Sequence, residues 1–339
     1  MIYEYAIDPQ CDHNTLWCAL SQFGIHRGRV LCECPADWRE QLKKAIHAAA
    51  CDDYIEQKIL VARFEQLLDE GWLIKRPVSA YDDSKPTWIE RIRPEHVRQR
   101  FRGLICDGPK KLNCILTKYD LQDSNQYWYA DPTPLVPLTA DDIAQAFAPL
   151  GKISTDLLII DPYFGEDPHS FESIPAIIEA SNCEQTPLQR VEIHTVHATN
   201  RIKRKEVSDI RNSIGHALGT EFRSRLPKSI LIRIFIWETV TDGDAFHDRY
   251  ILTNLGGVGV SLGLNVGKKE ALQTNMNTVF LLSPKLYQLR KDQFDTDSVL
   301  HKRRISEGVI NYKLIEELEL VHGRLQLRPC RESRESFNG

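Results

Sequence analysis

The sequence predicts an α/β protein of two domains, an α+β domain over residues 1–130 and a mixed-sheet domain over residues 131–339. Three observations support this prediction. A length of 339 residues is typical of two domains. Three prolines within residues 132–137 indicate an extended linker. After this linker, apolar strand segments alternate with amphipathic helices, whereas the pattern before it is a less regular mixture.

The N-terminal domain is predicted to contain two successive helices, over residues 38–50 and 54–68. In the second helix, apolar residues at helical spacing are predicted to form one buried stripe, namely Ile55, Ile59, Leu60, Phe64, Leu67 and Leu68. Gly71 ends this helix, and strands are expected at 72–74, 101–105 and 113–116. We find no pattern of catalytic residues in this domain.

Seven of the nine cysteines precede residue 115, and zinc binding is one interpretation of this cluster. The residues that suggest it lie close together in sequence: Cys11, His13, Cys18, His26, Cys32 and Cys34. No Cys-x-x-Cys pair is present, and structural zinc sites favour that spacing. Buried reduced thiols are therefore the favoured interpretation. We expect neither a metal nor a cofactor.

The C-terminal domain has a clearer succession of elements. Thr139 is the predicted N-cap of its first helix, with Asp141 and Asp142 in the first turn. Strands are then predicted at 156–161, 190–196, 230–237, 247–252 and 277–282, and helices at 170–180 and 206–222. The order strand, helix, strand, helix and three further strands predicts a mixed sheet covered on both faces.

The residues with the strongest chemical signal begin the strand at 247–252. His247 and Arg249 are two residues apart, so in a strand their side chains share one face. The glycine-rich stretch 256–259 predicts a turn that brings backbone close to a ligand, and Ser261 and Asn265 follow it. A histidine nucleophile, a cation and an amide donor are the groups that a phosphodiester site needs.

This segment resembles the HKD motif of the phospholipase D-like superfamily, His-x-Lys, four residues, Asp, six residues, Gly-Ser-x-Asn. His247 falls at the histidine, Arg249 at the lysine and Asn254 at the aspartate. Residues 261–265 lie near the Gly-Ser-x-Asn segment, shifted by about one residue. The resemblance extends over residues 142–283, and it implies a phospholipase D-like mixed-sheet sandwich followed by a C-terminal extension.

The resemblance also implies a mechanism. His247 would attack phosphorus to form a phosphohistidine, and Arg249 and Asn265 would stabilise the negative charge on the phosphoryl oxygens. Members of the superfamily take a second histidine from a second copy of the motif, and this sequence contains one copy. A homodimer that contributes His247 from both subunits is therefore implied, without a metal.

Further residues are candidates for substrate binding. Asp161 ends a predicted buried strand, where it either orients His247 or is a turn residue before Pro162. Ser261 is placed in the binding loop by the motif. A basic run is predicted to contact a phosphate backbone, the alternative being a solvated surface. Its residues are Arg201, Lys203, Arg204 and Lys205.

Two functional interpretations remain open. The first is a phosphodiesterase, specifically a nuclease, for which defence against foreign DNA in a prokaryote is a compatible setting. The second is an inactive adaptor that binds nucleic acid or phospholipid within a multi-component complex of partner proteins. A net charge of −4 excludes neither interpretation. We expect a cytoplasmic protein, because no secretion signal or apolar segment of ~18–20 residues is present.

Overall fold

The computed structural model describes residues 1–48, 54–75, 80–110, 112–164, 170–197, 206–217, 226, 230–239, 249–264, 276–297, 312–321 and 324–328. The chain divides into two compact units, Met1–Pro132 and Thr133–Gly339. The division falls inside the proline-rich stretch. Part of that stretch is not a free linker, because residues 135–137 form a strand of the second unit.

The N-terminal unit contains a parallel sheet of five strands. They are β1 (Tyr3–Ile7), β2 (Arg29–Cys32), β3 (Leu73–Ile74), β4 (Gly103–Ile105) and β5 (Ile115–Leu116), in the order β3-β2-β1-β4-β5. Every pairing is parallel. The predicted α+β arrangement is therefore wrong for this unit. Strands β3 and β5 have two residues each, too few to show the alternation of a regular α/β pattern in sequence.

The helices of this unit pack on both faces of the sheet. They are α1 (His13–Leu20), α2 (Trp38–Ala48), α3 (Tyr54–Asp69) and α4 (Trp88–Arg98). Buried side chains of α1, α2 and α3 share one apolar cluster with Tyr5 and Ile7, and those of α4 share another with Ala6. Successive β1 residues thus face opposite layers, as strand geometry requires.

Helix α3 departs from its predicted buried stripe. Leu60, Phe64 and Leu67 are buried, whereas Ile55 and Ile59 are 65% and 40% exposed. The buried residues follow the spacing of a single helix face. Ile59 precedes Leu60 by one position, and one residue turns the helix by about 100° away from that face. The prediction was wrong for Ile55 and Ile59 because it joined two neighbouring faces into one stripe.

The C-terminal unit is built on a mixed sheet of nine strands in the order β14-β13-β9-β8-β7-β10-β11-β12-β6. Strands β7, β8 and β9 are parallel to one another, and the remaining neighbours are antiparallel. The strands are β6 (Leu135–Pro137), β7 (Asp156–Ile160), β8 (Arg190–His197), β9 (Leu231–Thr239), β10 (Arg249–Thr253), β11 (Gly257–Val260), β12 (Met276–Leu281), β13 (Tyr312–Val321) and β14 (Arg324–Arg328).

The helices that the structure describes in this unit are α5 (Ala140–Gly151), α6 (Ser170–Ser181), α7 (Val207–Ala217) and α8 (Pro284–Phe294). The hydroxyl of Thr139 accepts a hydrogen bond from the Asp142 N–H, so the predicted N-cap of α5 is confirmed. Helix α8 packs against one face of the sheet through Phe294, which shares a cluster with Ile160 and Leu252. Within the described part of the chain, every helix is too short or too polar to cross a membrane.

The glycine-rich stretch predicted as a turn is a strand. Residues Gly257–Val260 form β11, which pairs with β10 through Arg249 opposite Val260 and Leu252 opposite Gly257. The chain reverses earlier, between Thr253 and Gly256. A side chain at Gly259 would collide with the ring of Phe280 on β12. The glycine is therefore required by packing against the neighbouring strand and not by a turn.

Candidate functional site

Three strand ends meet at one edge of the nine-stranded sheet. Ile160, the last residue of β7, pairs with Tyr250, and Val260, the last residue of β11, pairs with Arg249. The carboxyl ends of β7 and β11 therefore lie beside the amino end of β10. This edge brings together three of the predicted site residues, Asp161, Arg249 and Ser261.

Arg249 is held from three sides at this edge. Its Nε lies 3.9 Å from Oδ1 of Asp161, and its Nη1 donates a hydrogen bond of 3.3 Å to the carbonyl of Ser261. The guanidinium carbon lies 4.6 Å from the centre of the Tyr163 ring, a cation–π contact. Only 19% of the side chain is exposed. Its Nε is buried and makes no hydrogen bond within the described residues, so the contact with Asp161 at 3.9 Å is an ion pair without a hydrogen bond.

The structure shows one of the two roles considered for Asp161, that of a turn residue at the end of a strand. Its Oδ1 accepts a hydrogen bond of 2.9 Å from the Tyr163 N–H, which fixes the turn after β7. Its own N–H donates to the carbonyl of His194 on β8. The carboxylate is 1% exposed and lies next to Arg249. An orienting role toward His247 stays a prediction.

Ser261 directly follows β11, and its role in substrate binding stays a prediction. Its hydroxyl donates to Oδ1 of Asn277 at 3.0 Å and accepts from the Thr278 N–H at 3.1 Å. These bonds join the end of β11 to β12. The hydroxyl is thus engaged within the fold, and it is the carbonyl of Ser261 that contributes to the site by accepting from Arg249.

Asn254, at the aspartate position of the motif, lies at the opposite end of β10 from Arg249. Its side-chain oxygen accepts hydrogen bonds from the backbone N–H groups of Thr155 and Asp156, at 3.0 and 3.4 Å. An amide oxygen accepts such bonds as a carboxylate would. The exchange of aspartate for asparagine therefore leaves the surroundings of Arg249 unchanged.

The remaining predicted site residues lie outside the described residues. These are His247, Asn265 and the basic run Arg201, Lys203, Arg204 and Lys205. Their roles, and the shared strand face of His247 and Arg249, stay predictions.

The whole sequence matches no protein-family model, and no curated protein is significantly similar to it. The resemblance to the HKD motif therefore depends on residues 247–265 and on the order of the surrounding elements. The structure adds the contact of Arg249 with Asp161, Tyr163 and Ser261.

His194 on β8 is not available to this site. Its Nδ1 accepts a hydrogen bond of 3.1 Å from Nε1 of Trp237, which places its proton on Nε2. The ring stacks on Phe235, with 4.9 Å between centroids, and is fully buried against Phe294 of α8. Side chains of β10 point alternately to the two faces of the sheet. Tyr250 lies on the face that α8 covers, so Arg249 projects from the opposite face.

Beside His194 lies a buried ionic network that our reading of the sequence missed. Glu192 is fully buried, with its Oε1 2.8 Å from Nη2 of Arg233 and 3.4 Å from Nη1 of Arg190. Burial opposes ionisation of Glu192, but the nearby Nε2 of His194 and the two guanidinium groups outweigh burial and lower the pKa of this carboxyl. The sequence contained a signal for this network. Arg190, Glu192 and His194 occupy every second position of a buried strand, so their side chains must share one face.

Polar residues also gather in the N-terminal unit, where the strand order reverses between β1 and β4. Asp107, after β4, accepts hydrogen bonds from the Thr15 hydroxyl and the Asp12 N–H, at 2.6 and 2.5 Å. Over the described ranges, no three His, Cys, Asp or Glu side chains are placed to hold a metal. Cys11 is a free thiol there, and burial raises its pKa.

Proposed function

We propose that the C-terminal unit is a phospholipase D-like phosphodiesterase that acts on nucleic acid through His247 and Arg249. The observation that carries this proposal is the setting of Arg249. The cation at the lysine position of the motif stands where three strand ends meet and is held by Asp161, Tyr163 and Ser261. A guanidinium fixed in this way is a planar cation of the kind that binds the oxygens of a phosphate.

The succession of elements supports the same proposal. Strand β7, helix α6, strand β8, helix α7 and strand β9 follow one another, and the antiparallel strands β10, β11 and β12 come next. The succession of elements predicted from the sequence is present, with β11 as an added strand. The parallel strand β7 is the direct neighbour of β10, so the first strand end and the motif strand share one edge.

The proposed reaction has two steps. The imidazole of His247 attacks phosphorus, so that a P–N bond forms and a P–O ester bond breaks. His247 of a second subunit protonates the leaving oxygen and then removes a proton from the water that cleaves the P–N bond. Arg249 and Asn265 stabilise the charge on the phosphoryl oxygens in both steps. No metal takes part in this scheme.

The test is cleavage of labelled DNA and RNA, single- and double-stranded, by the full-length protein in the presence of EDTA. We expect cleavage, an acid-labile phosphohistidine in trapped protein, and loss of both in His247→Ala. The exposed histidine of α7 provides a matched control, His216→Ala, which should retain activity. The proposal would be overturned if His247→Ala still cleaved the substrate. It would also be overturned if EDTA abolished cleavage by the wild-type protein.

One observation favours a second candidate, a non-catalytic module that binds anionic ligands. The carboxylate of Asp161 stands 3.9 Å from Nε of Arg249 and partly neutralises the cation that would stabilise the transition state. Retained binding of oligonucleotides without cleavage, lost in Arg249→Ala, would favour this candidate. Binding to vesicles of acidic phospholipid and not to oligonucleotides would identify a lipid-binding form of it.

A further inference from the structure

We infer that Asn277 is a positioning residue that sets the orientation of Arg249 for phosphate binding, an inference that rests on the proposed function. Asn277 lies on β12 and is fully buried. Its Oδ1 accepts hydrogen bonds from the Ser261 hydroxyl and the Leu262 N–H, both at 3.0 Å. Its Nδ2 donates to the Gly263 carbonyl at 2.9 Å. One amide thus binds three consecutive residues of the loop that follows β11.

Arg249 lies directly on this loop. The Ser261 carbonyl accepts from Nη1, as described above. Gly263 has a φ of 93°, a conformation that L-residues with side chains rarely adopt. A Cβ atom added at Gly263 would lie 2.6 Å from Nε of Arg249. The guanidinium therefore packs against loop backbone, and a shift of the loop must move it.

Leu264, the last described residue of the segment that follows β11, is also fixed. The buried hydroxyl of Ser173 on α6 donates to the carbonyl of Leu264. Asn277 holds the loop from β12 and Ser173 holds it from α6. Of these two, only Asn277 bonds to the residues that touch Arg249, so we assign the positioning role to Asn277.

A purely structural role for Asn277 predicts loss of stability, whereas a positioning role predicts loss of anion binding through Arg249. A double-mutant cycle separates the two roles. We would measure binding of a short fluorescein-labelled oligonucleotide to the full-length protein over a range of salt concentrations. The variants are Arg249→Ala, Asn277→Ala, the double variant, and Asn277→Asp, which keeps the side-chain shape but loses the donor to Gly263 when ionised.

We expect Arg249→Ala and Asn277→Ala each to weaken binding about tenfold and to reduce the salt slope by about one. The double variant should bind no more weakly than Arg249→Ala alone, and Asn277→Asp should fall between wild type and Asn277→Ala. The matched control is Asn254→Ala, which removes another bridging amide at the far end of β10 and should not change affinity.

Two outcomes would overturn the inference while the proposed function stands. In the first, Arg249→Ala weakens binding and both Asn277 variants bind like wild type. In the second, the two losses add in the double variant. If Arg249→Ala binds like wild type, this result contradicts the proposed function, on which the inference rests. Should Asn277→Ala not fold, the comparison of Asn277→Asp with wild type decides the matter.

Discussion

The arginines of the buried ionic network and Arg249 of the candidate site lie on the same nine-stranded sheet but differ in what surrounds them. In the ionic network, Nη1 of Arg190 lies 3.1 Å from Asp295 and 2.9 Å from Asp297, and its Nε lies 2.7 Å from Asp156. At the candidate site, Arg249 has a single described carboxylate near it, at 3.9 Å. The role of a mostly buried arginine can thus be judged from how many carboxylates of the fold lie close to its guanidinium group.

The electrostatics of the two groups agree with this distinction. Burial disfavours the charged form of Arg190, but Glu192, Asp156 and Asp295 outweigh burial and raise its pKa above the usual range. The network links β8 and β9 to the segment that follows α8, and its charges are compensated within the fold. We interpret it as structural, and we interpret Arg249 as a ligand-binding group.

The largest expected effect that tests this comparison is on stability. Arg233→Ala should lower the free energy of unfolding by about 3–5 kcal/mol, because it leaves the buried carboxylate of Glu192 without its nearest cation. Denaturant unfolding measures the change. The control is Arg211→Ala, which removes an ion pair with Glu316 that is much more exposed and should cost less than about 1 kcal/mol. Equal losses would contradict the structural interpretation of the network.

A second expectation concerns pH. The folded pKa of Glu192 is lowered, so this group stabilises the fold above its unfolded value of about 4.3, and the stabilisation is lost as the pH falls through the folded pKa. The free energy of unfolding should therefore decrease as the pH falls below about 4.3. In Glu192→Gln this dependence should be shallower over the same range. Identical pH profiles of wild type and variant would show that Glu192 does not contribute.

A third expectation concerns the candidate site. Gly263→Ala should weaken oligonucleotide binding about tenfold, because the new methyl group displaces Arg249 and strains a backbone with positive φ. Gly259→Ala provides the contrast. It should cost about 1–3 kcal/mol of stability through its collision with Phe280, with little effect on the affinity of the folded protein. Binding assays paired with denaturant unfolding would separate the two, and unchanged affinity in Gly263→Ala would place Arg249 outside the binding surface.

The smallest expected effect is that of Asp161→Asn. The variant retains an oxygen that can accept from the Tyr163 N–H but removes the charge that opposes an anion at Arg249. Oligonucleotide affinity at low salt should rise by about two- to fivefold. Fluorescence anisotropy at two salt concentrations would measure the change. A loss of affinity would indicate instead that Asp161 is needed to hold the guanidinium in place.

Much of the C-terminal sheet could be predicted because its elements leave local patterns. Strand β7 is a continuous apolar segment, β8 and β9 are rich in β-branched residues, and the N-cap of α5 is a Thr-Ala-Asp-Asp sequence. Strand β11 was missed because Gly257 and Gly259 lower strand propensity. Both glycines are required by tertiary packing, because Leu252 and Phe280 fill the space that side chains at these positions would occupy.

The candidate site was predictable only in part, for a similar reason. Asp161 follows a buried strand and Arg249 begins the motif strand, so their positions at strand ends could be inferred from sequence. The contribution of Asn277 depends on the pairing of β11 with β12, which brings residues 261–263 next to residue 277. The contact between Tyr163 and Arg249 depends on side-chain conformation. Neither relation has a signature in sequence spacing.

Strand β6, one of the two outer strands of the nine-stranded sheet, restricts how two copies of the chain can associate. It lies at one side of the sheet and contains Pro137, which has no N–H to offer to a further strand. Joining two sheets edge to edge through β6 is therefore disfavoured. In the proposed homodimer, the contact that pairs two His247 side chains would then form on a different surface. Crosslinks near residue 249 would report on that contact better than crosslinks at residue 135.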